Sequence, residues 1–200
     1  MKRVVIFGST GPTGLCSLRT TVEKGLEIRV FVRNKAKIPE DLRDKVEAVV
    51  GDVTNAKDVA KAVAGRDAVI VVLGTGNNLS STTVLSQGMR NIVDAMKAHN
   101  VELVSVCLSV LLFCLEKKSI VYNDMTEEHQ RMLEIIKSSG LKWVAICPAA
   151  ILDKPKSNYV ITINCPAGRA ISKYSLGEFL VECFKNPDYY QKIIGIADTS

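Results

Sequence analysis

Four consecutive apolar residues, Val4-Val5-Ile6-Phe7, run directly into the loop GSTGPTG at positions 8–14. A short unbroken apolar run reads as a strand buried on both faces, the way strands of a parallel sheet are used. Beyond the loop, Leu15, Leu18 and Val22 recur at helical spacing until Gly25. A strand, a glycine-rich turn and a helix in that order constrain the chain strongly. The helix N-terminus then carries unpaired N–H groups and a partial positive charge, which suits an anion. The glycines Gly8, Gly11 and Gly14 follow G-x-x-G-x-x-G spacing, not the usual G-x-G-x-x-G fingerprint. Glycine allows close backbone approach to a phosphate and positive φ. Thr10 and Thr13 add hydroxyls, while Pro12 has no N–H to donate. The trio alone would also suit a plain tight turn; its place in a series of βα units points to a dinucleotide.

That series is legible along most of the chain. Apolar runs at Ile28–Val32, Val46–Val50, Asp67–Leu73, Leu103–Leu108 and Trp143–Cys147 read as further strands. Helical patterns fall between them: Ala56–Val63, then Leu85, Met89, Ile92, Val93 and Met96, then Met132, Leu133, Ile135 and Ile136. Ser80 or Ser81 is expected to cap the second of these and Thr126 the third, with Glu127 and Glu128 in its first turn. The C-terminal part is less regular, with a strand over Tyr159–Cys165, a helix marked by Leu176, Phe179, Leu180 and Cys183, and a last strand at Lys192–Ala197. Alternating strands and helices imply an α/β fold: a doubly wound parallel sheet with helices on both faces, as one domain over residues 1–200.

Composition excludes several classes. At 47% hydrophobic and 24% charged residues, the chain is an ordinary globular one. No apolar run reaches the ~18–20 residues that span a membrane. The opening Met-Lys-Arg and four apolar residues are too short for a signal peptide, so a cytoplasmic location is expected. The net charge of +5 is spread along the chain rather than clustered, which argues against nucleic acid. Six cysteines form no C-x-x-C pair and only two histidines are present, so no metal site is expected and the thiols read as small buried hydrophobes.

Which dinucleotide binds depends on the end of the second strand. A site for NAD places a carboxylate there to hold the ribose 2′-OH. Here Arg33 follows Val32, with Lys35 and Lys37 close by. A guanidinium pairs with a 2′-phosphate, so NADPH is the expected cofactor. Asp52 and Val53 follow the third strand, where adenine would lie, and Gly74-Thr75-Gly76 follow the fourth, near the diphosphate and ribose. Ser109 ends the fifth strand, within reach of a nicotinamide, in a hydrogen-bonding role. His129 is the candidate proton donor near neutral pH. No tyrosine has a lysine four residues on, which argues against alcohol–ketone chemistry and against a sugar-nucleotide epimerase. The segment 110–124 is long for a βα connection and is expected to wall the acceptor site.

The stretches VVIFGSTGPTGL, VFVRNKAKIP, VVGDVTNAKDV, GRDAVIVVLGTGNNLSSTTVLSQGMRNIVDAMKAHNV, HQRMLEIIKSSGLKWVAICP and RAISKYSLGEFL cover nearly the whole length in order. On them the chain resembles the biliverdin-IXβ/flavin reductase family of atypical short-chain dehydrogenases. The resemblance implies a monomeric Rossmann domain that moves hydride from NADPH to a flat flavin or tetrapyrrole stacked on the nicotinamide. It implies NADPH contacts from Gly8, Thr10, Gly11, Thr13 and Gly14, from Arg33 to the 2′-phosphate, from Asp52 and Val53, and from Leu73, Gly74 and Thr75. It also implies Ser109 beside the nicotinamide and Cys147-Pro148-Ala149 against the carboxamide, with Leu111, Phe113 and Ala150 on the acceptor side. Departures cluster there: Gly76 and Ala150 stand where the family has arginine and histidine, Leu111 and Cys114 where it has aromatics, and Lys37 where it has a second arginine. The cofactor half is intact and the acceptor half altered, so a non-catalytic NADP(H)-binding sensor is the alternative to a reductase.

Overall fold

A computed structural model describes residues 1–76, 82–114 and 123–199. The chain runs β1 (Arg3–Phe7), α1 (Pro12–Glu23), β2 (Glu27–Val32), α2 (Glu40–Arg43), β3 (Glu47–Val50), α3 (Ala56–Val63), β4 (Ala68–Val71), α4 (Val84–Ala98) and β5 (Leu103–Cys107). It continues with α5 (Asn123–Lys137), β6 (Lys142–Pro148), β7 (Ala150–Leu152), β8 (Tyr159–Ile163), β9 (Ala170–Ser172), α6 (Lys173–Glu182) and β10 (Lys192–Asp198). The main sheet has the order β3-β2-β1-β4-β5-β6-β10-β8. Every neighbouring pair in it is parallel except β10 with β8. The 3-2-1-4-5-6 portion is the doubly wound order, whose reversal point between β1 and β4 opens a crevice at the strands' carboxyl ends.

The apolar run that opens the chain explains why β1 sits in the middle. Val5 and Phe7 point into the core shared with α3, α4 and α5, while Val4 and Ile6 point into the core shared with α1 and α6. All four side chains are fully buried, at about 1.5–3 kcal/mol each. The same split recurs in β4, with Val69 and Val71 on one face and Ala68 and Ile70 on the other. Gly177 brings α6 tightly against α1: a Cβ there would lie 2.5 Å from the Cβ of Cys16.

Several boundaries differ from the sequence expectation. The fourth strand ends at Val71, because the backbone at Val72-Leu73 lies against the glycine loop. Helix α5 begins at Asn123, so Thr126 is a buried residue inside the helix rather than its cap. The expected caps Ser80 and Ser81, and Glu116, Lys117 and Lys118 of the long connection, lie outside the described residues. The small parallel β7–β9 sheet was not anticipated; three-residue strands carry too little pattern to read.

Candidate functional site

The loop after β1 uses its three glycines differently. Gly8 takes φ +84, and a Cβ there would lie 2.2 Å from the Val72 carbonyl oxygen. At Gly14 a Cβ would lie 2.1 Å from the Gly8 carbonyl oxygen, so the helix could not seat on its own loop. Gly11 has φ −77, and its added Cβ would meet only the Gly8 oxygen at 3.5 Å, an ordinary contact. The fold therefore requires glycine at 8 and 14 but not at 11. Gly11 is the N-cap of α1 with no side-chain cap and no acid in the first turn. The first helical bond runs from Leu15 N–H to Gly11 O at 2.8 Å, and Pro12 has no N–H. The N–H groups of Thr13 and Gly14 thus have no intrahelical acceptor and sit at the positive end of the helix. Thr10 is half-buried and Thr13 buried beside them.

Arg33, the first residue past β2, is exposed and makes no hydrogen bond or ion pair among the described residues. Asp52 faces it across the sheet edge. Its carboxyl is held below the usual carboxylate range first by the Thr54 hydroxyl at 2.6 Å and N–H at 2.8 Å, with a smaller contribution from Arg33. Val53 is buried: its side chain occupies the space over Gly88 and its carbonyl accepts from Asn91 Nδ2 at 2.9 Å. Only its main chain is left to meet a base. Past β4, Leu73 is half-buried against the core, Thr75 is half-buried, and Gly74 and Gly76 are exposed with open space at their Cβ positions.

Ser109 follows β5, where Leu108 N–H still bonds the Ile146 carbonyl at 2.8 Å. Its Oγ accepts from Leu111 N–H at 3.2 Å and caps a 3-10 turn over Val110–Phe113. That leaves the hydroxyl proton free to donate outward. Leu111 and Phe113 are half-buried, and Phe113 leans on the core shared by α4 and α5. On the neighbouring strand the Cys147 side chain is buried and its thiol is pushed far up by desolvation, so a contact from this position falls to its backbone. Pro148 closes β6, Ala149 is half-buried, and Ala150 is exposed at the start of β7, its N–H bonded to Arg169 O at 3.1 Å.

The surroundings of His129 bear on its expected proton-donor role. The residue lies in the second turn of α5, half-buried, with Nδ1 shut off from solvent and without a partner. Burial lowers its pKa to about 4, against a smaller opposing pull from Glu128. That shift favours the neutral ring at pH 7 and disfavours an imidazolium that could protonate an acceptor. The cysteine expectation is also only partly met: Cys16, Cys107, Cys147 and Cys183 are buried, but Cys114 and Cys165 are exposed. Glu128, expected in the first turn of its helix, is the sixth residue of α5, completely buried, and accepts hydrogen bonds from Ser86 N–H and Arg131. Ser9, within the glycine loop, is also completely buried, and its Oγ has no partner among the described residues. Neither was readable, because both depend on segments packed from elsewhere.

No helix among the described residues is long and apolar enough to cross a membrane. Among known proteins, a 3-beta-hydroxysteroid dehydrogenase of Mycolicibacterium neoaurum is 35% identical over 111 residues, which is 50% of this chain but only 30% of that protein. The chain thus spans about a third of that relative's length. A Rossmann-fold NAD(P)-binding family protein from Shigella flexneri superposes with TM-score 0.82 at 24% identity, covering 100% of this chain and 95% of the other. ChuY, an anaerobillin reductase from Escherichia coli O157:H7, superposes with TM-score 0.85 at 13% identity, covering 98% and 97%. Both likenesses concern the fold. The sequence itself matches the NAD(P)H-binding family from Gly8, the first glycine of the loop, through residue 187, and the protein belongs to that family.

Proposed function

We propose that this protein is an NADPH-dependent reductase that passes hydride to a flat acceptor, either a flavin (FMN, FAD or riboflavin) or biliverdin-IXβ. The observation that carries the reading is the pairing of Gly11 with Arg33. Gly11 is a glycine the fold does not need, lying over two unpaired helix N–H groups, as a diphosphate would require. Arg33 is an exposed guanidinium with no hydrogen bond or ion pair among the described residues, at the end of β2, where a 2′-phosphate would lie. Hydride chemistry belongs to the cofactor; the protein supplies placement. Ser109 would donate its proton to the carboxamide or to a water, and the backbone at Cys147-Pro148-Ala149 would hold the ring. Leu111, Phe113 and Ala150 would give an acceptor an apolar surface to lie on. The shared fold of an anaerobillin reductase is in keeping with a tetrapyrrole-sized acceptor. With His129 neutral, the acceptor would take its proton from solvent. In this reading one chain in the cytoplasm carries the whole site and acts on a small molecule, without nucleic acid or membrane.

The neutral His129 and the missing Tyr-x-x-x-Lys pair also favour a second reading, an NADP(H)-binding sensor without turnover. Calorimetric titration with NADPH and NADH, on wild type and Ser109→Ala, together with FMN turnover, separates the two. A reductase binds NADPH tightly, turns over FMN, and loses turnover several-fold in Ser109→Ala at unchanged affinity. Tight binding with no turnover for any flavin or biliverdin leaves the sensor; weak binding of both nucleotides removes both readings.

A further inference from the structure

Strands β4 and β5 are parallel neighbours, paired from Ala68 with Leu103 to Val71 with Val106. The segment leaving β4 carries Gly74-Thr75-Gly76 and leads to α4; the segment leaving β5 carries Ser109 and the 110–113 turn and leads to α5. The far ends of these two segments meet at one buried carboxylate. Glu128, on α5, is fully buried, and its Oε1 accepts from the Ser86 N–H at 2.8 Å. Ser86 is the third residue of α4, so this N–H has no partner within its own helix. Thr83, at the N-cap position, makes no side-chain cap, and the first turn of α4 has no acid. Thr82 Oγ1 takes only the Val84 N–H, at 3.2 Å. The carboxylate that α4 lacks is therefore supplied by another helix, at the end where the dipole favours negative charge.

The second oxygen is used as fully. Oε2 accepts from Arg131 Nε at 2.8 Å and lies 2.8 Å from Arg131 Nη2. The same Nη2 donates to the Thr82 carbonyl at 3.1 Å, so the guanidinium returns to the residue just ahead of α4. A buried carboxylate is tolerated only when paired and hydrogen-bonded. Here one carboxylate and one guanidinium tie Thr82 and Ser86 to α5, and the guanidinium also lies 4.0 Å from Glu127 on the same helix.

We infer that Glu128, with Arg131, is a positioning residue for the acceptor side: by locking the start of α4 to α5 it fixes the core on which Phe113 leans. The functional consequence rests on the cofactor and acceptor sites proposed above; the clamp itself does not. None of its hydrogen bonds involves the phosphate loop 8–14, so it should control where the nicotinamide and acceptor lie, and not how tightly the phosphates are held.

The test compares wild type with Glu128→Gln and with the milder Arg131→Met and Arg131→Lys. Arg131 is 40% exposed, so its variants should fold even if Glu128→Gln does not. Hydrogen exchange by mass spectrometry should show amides of residues 84–87 exchanging at least ~10-fold faster, with β1 and β4 unchanged. NADPH affinity should stay within ~2-fold, while the fluorescence of the bound dihydronicotinamide falls and the KM for FMN rises ~5–10-fold at similar kcat. Arg131→Lys, which keeps the charge but not the fork, should fall between wild type and Arg131→Met. Unchanged exchange at 84–87, or acceleration spread equally over the β1 and β4 amides, overturns the inference. If wild type does not turn over FMN, the reductase reading fails, and exchange and nicotinamide fluorescence still decide the clamp.

Discussion

The two glycines of the loop that differ in their surroundings give a sharp contrast between folding and binding. At Gly14 a Cβ would lie 2.1 Å from the Gly8 oxygen, 2.9 Å from its carbonyl carbon and 3.1 Å from Ser9 Cα. All of these are backbone atoms, so relief requires α1 to move off the loop by roughly 1 Å to reach an ordinary contact distance. Overpacking of this kind costs about 1–3 kcal/mol. For a chain of this length each kcal/mol is about 2–4 °C in Tm, so Gly14→Ala should melt several degrees lower, without any cofactor present. At Gly11 the only contact is 3.5 Å and φ is −77, so Gly11→Ala costs no more than the weaker capping of alanine, about 0.5–1 kcal/mol. In the proposed binding mode a methyl at that position would crowd a diphosphate approaching the Thr13 and Gly14 N–H groups. Loss of one charge-assisted contact there corresponds to about 1.5–3 kcal/mol, or roughly 10–150-fold in affinity. The assay is a thermal melt of each variant alone, followed by a calorimetric NADPH titration. Gly11→Ala should keep its melting temperature within a few degrees and lose NADPH affinity at least ~10-fold. Wild-type affinity in Gly11→Ala would refute the placement of the diphosphate over this loop.

Three further outcomes follow from individual side chains. Arg33→Ala should weaken NADPH by ~10-fold or more and leave NADH nearly unchanged, because only the 2′-phosphate is lost as a partner; equal losses in paired titrations would remove Arg33 from the site. Burial lowers the pKa of His129 to about 4 from an unfolded value near 6.5, so the unfolded chain binds the extra proton first as pH falls. Its contribution to stability is complete above pH ~6.5 and is lost between there and pH ~4, amounting to about 2 kcal/mol by pH 5. Urea unfolding at pH 7 and pH 5 should show that loss shrinking by about this amount in His129→Gln, and an identical pH dependence in both proteins would contradict the buried neutral ring. Ser9→Ala removes a fully buried hydroxyl that has no partner and should leave stability unchanged or raise it by about 1 kcal/mol; a fall of that size in chemical denaturation would mean the hydroxyl is bonded.

The parts of this molecule that were legible are those written in local pattern. Val4–Phe7, the glycine turn and the start of α1 declare the first strand–turn–helix unit within about 20 residues, because strand burial, turn and helix start each leave a mark in neighbouring positions. The doubly wound order then follows from handedness and short connections. The setting of Glu128 was hidden for the opposite reason. As an acid near a helix start it suits its own helix dipole, but its hydrogen-bond partner Ser86 lies 42 residues away on another helix. The setting of His129 was hidden with it, since only the packing around α5 decides whether that imidazole is wet. The different duties of Gly8, Gly11 and Gly14 were likewise invisible in spacing. Two of them are set by contacts with Val72 and with the loop's own carbonyl, and only a structure shows that packing does not require glycine at the middle one.

Mixing the purified protein with NADPH and FMN and following the loss of NADPH, with NADH and flavin-free controls, tests the proposed reaction most directly. Protein-dependent oxidation that requires the flavin and favours NADPH over NADH is the result expected of a reductase with Arg33 on the 2′-phosphate. Tight NADPH binding without oxidation, for FMN and then for biliverdin, would contradict it and leave a cofactor-binding protein that performs no hydride transfer to these acceptors.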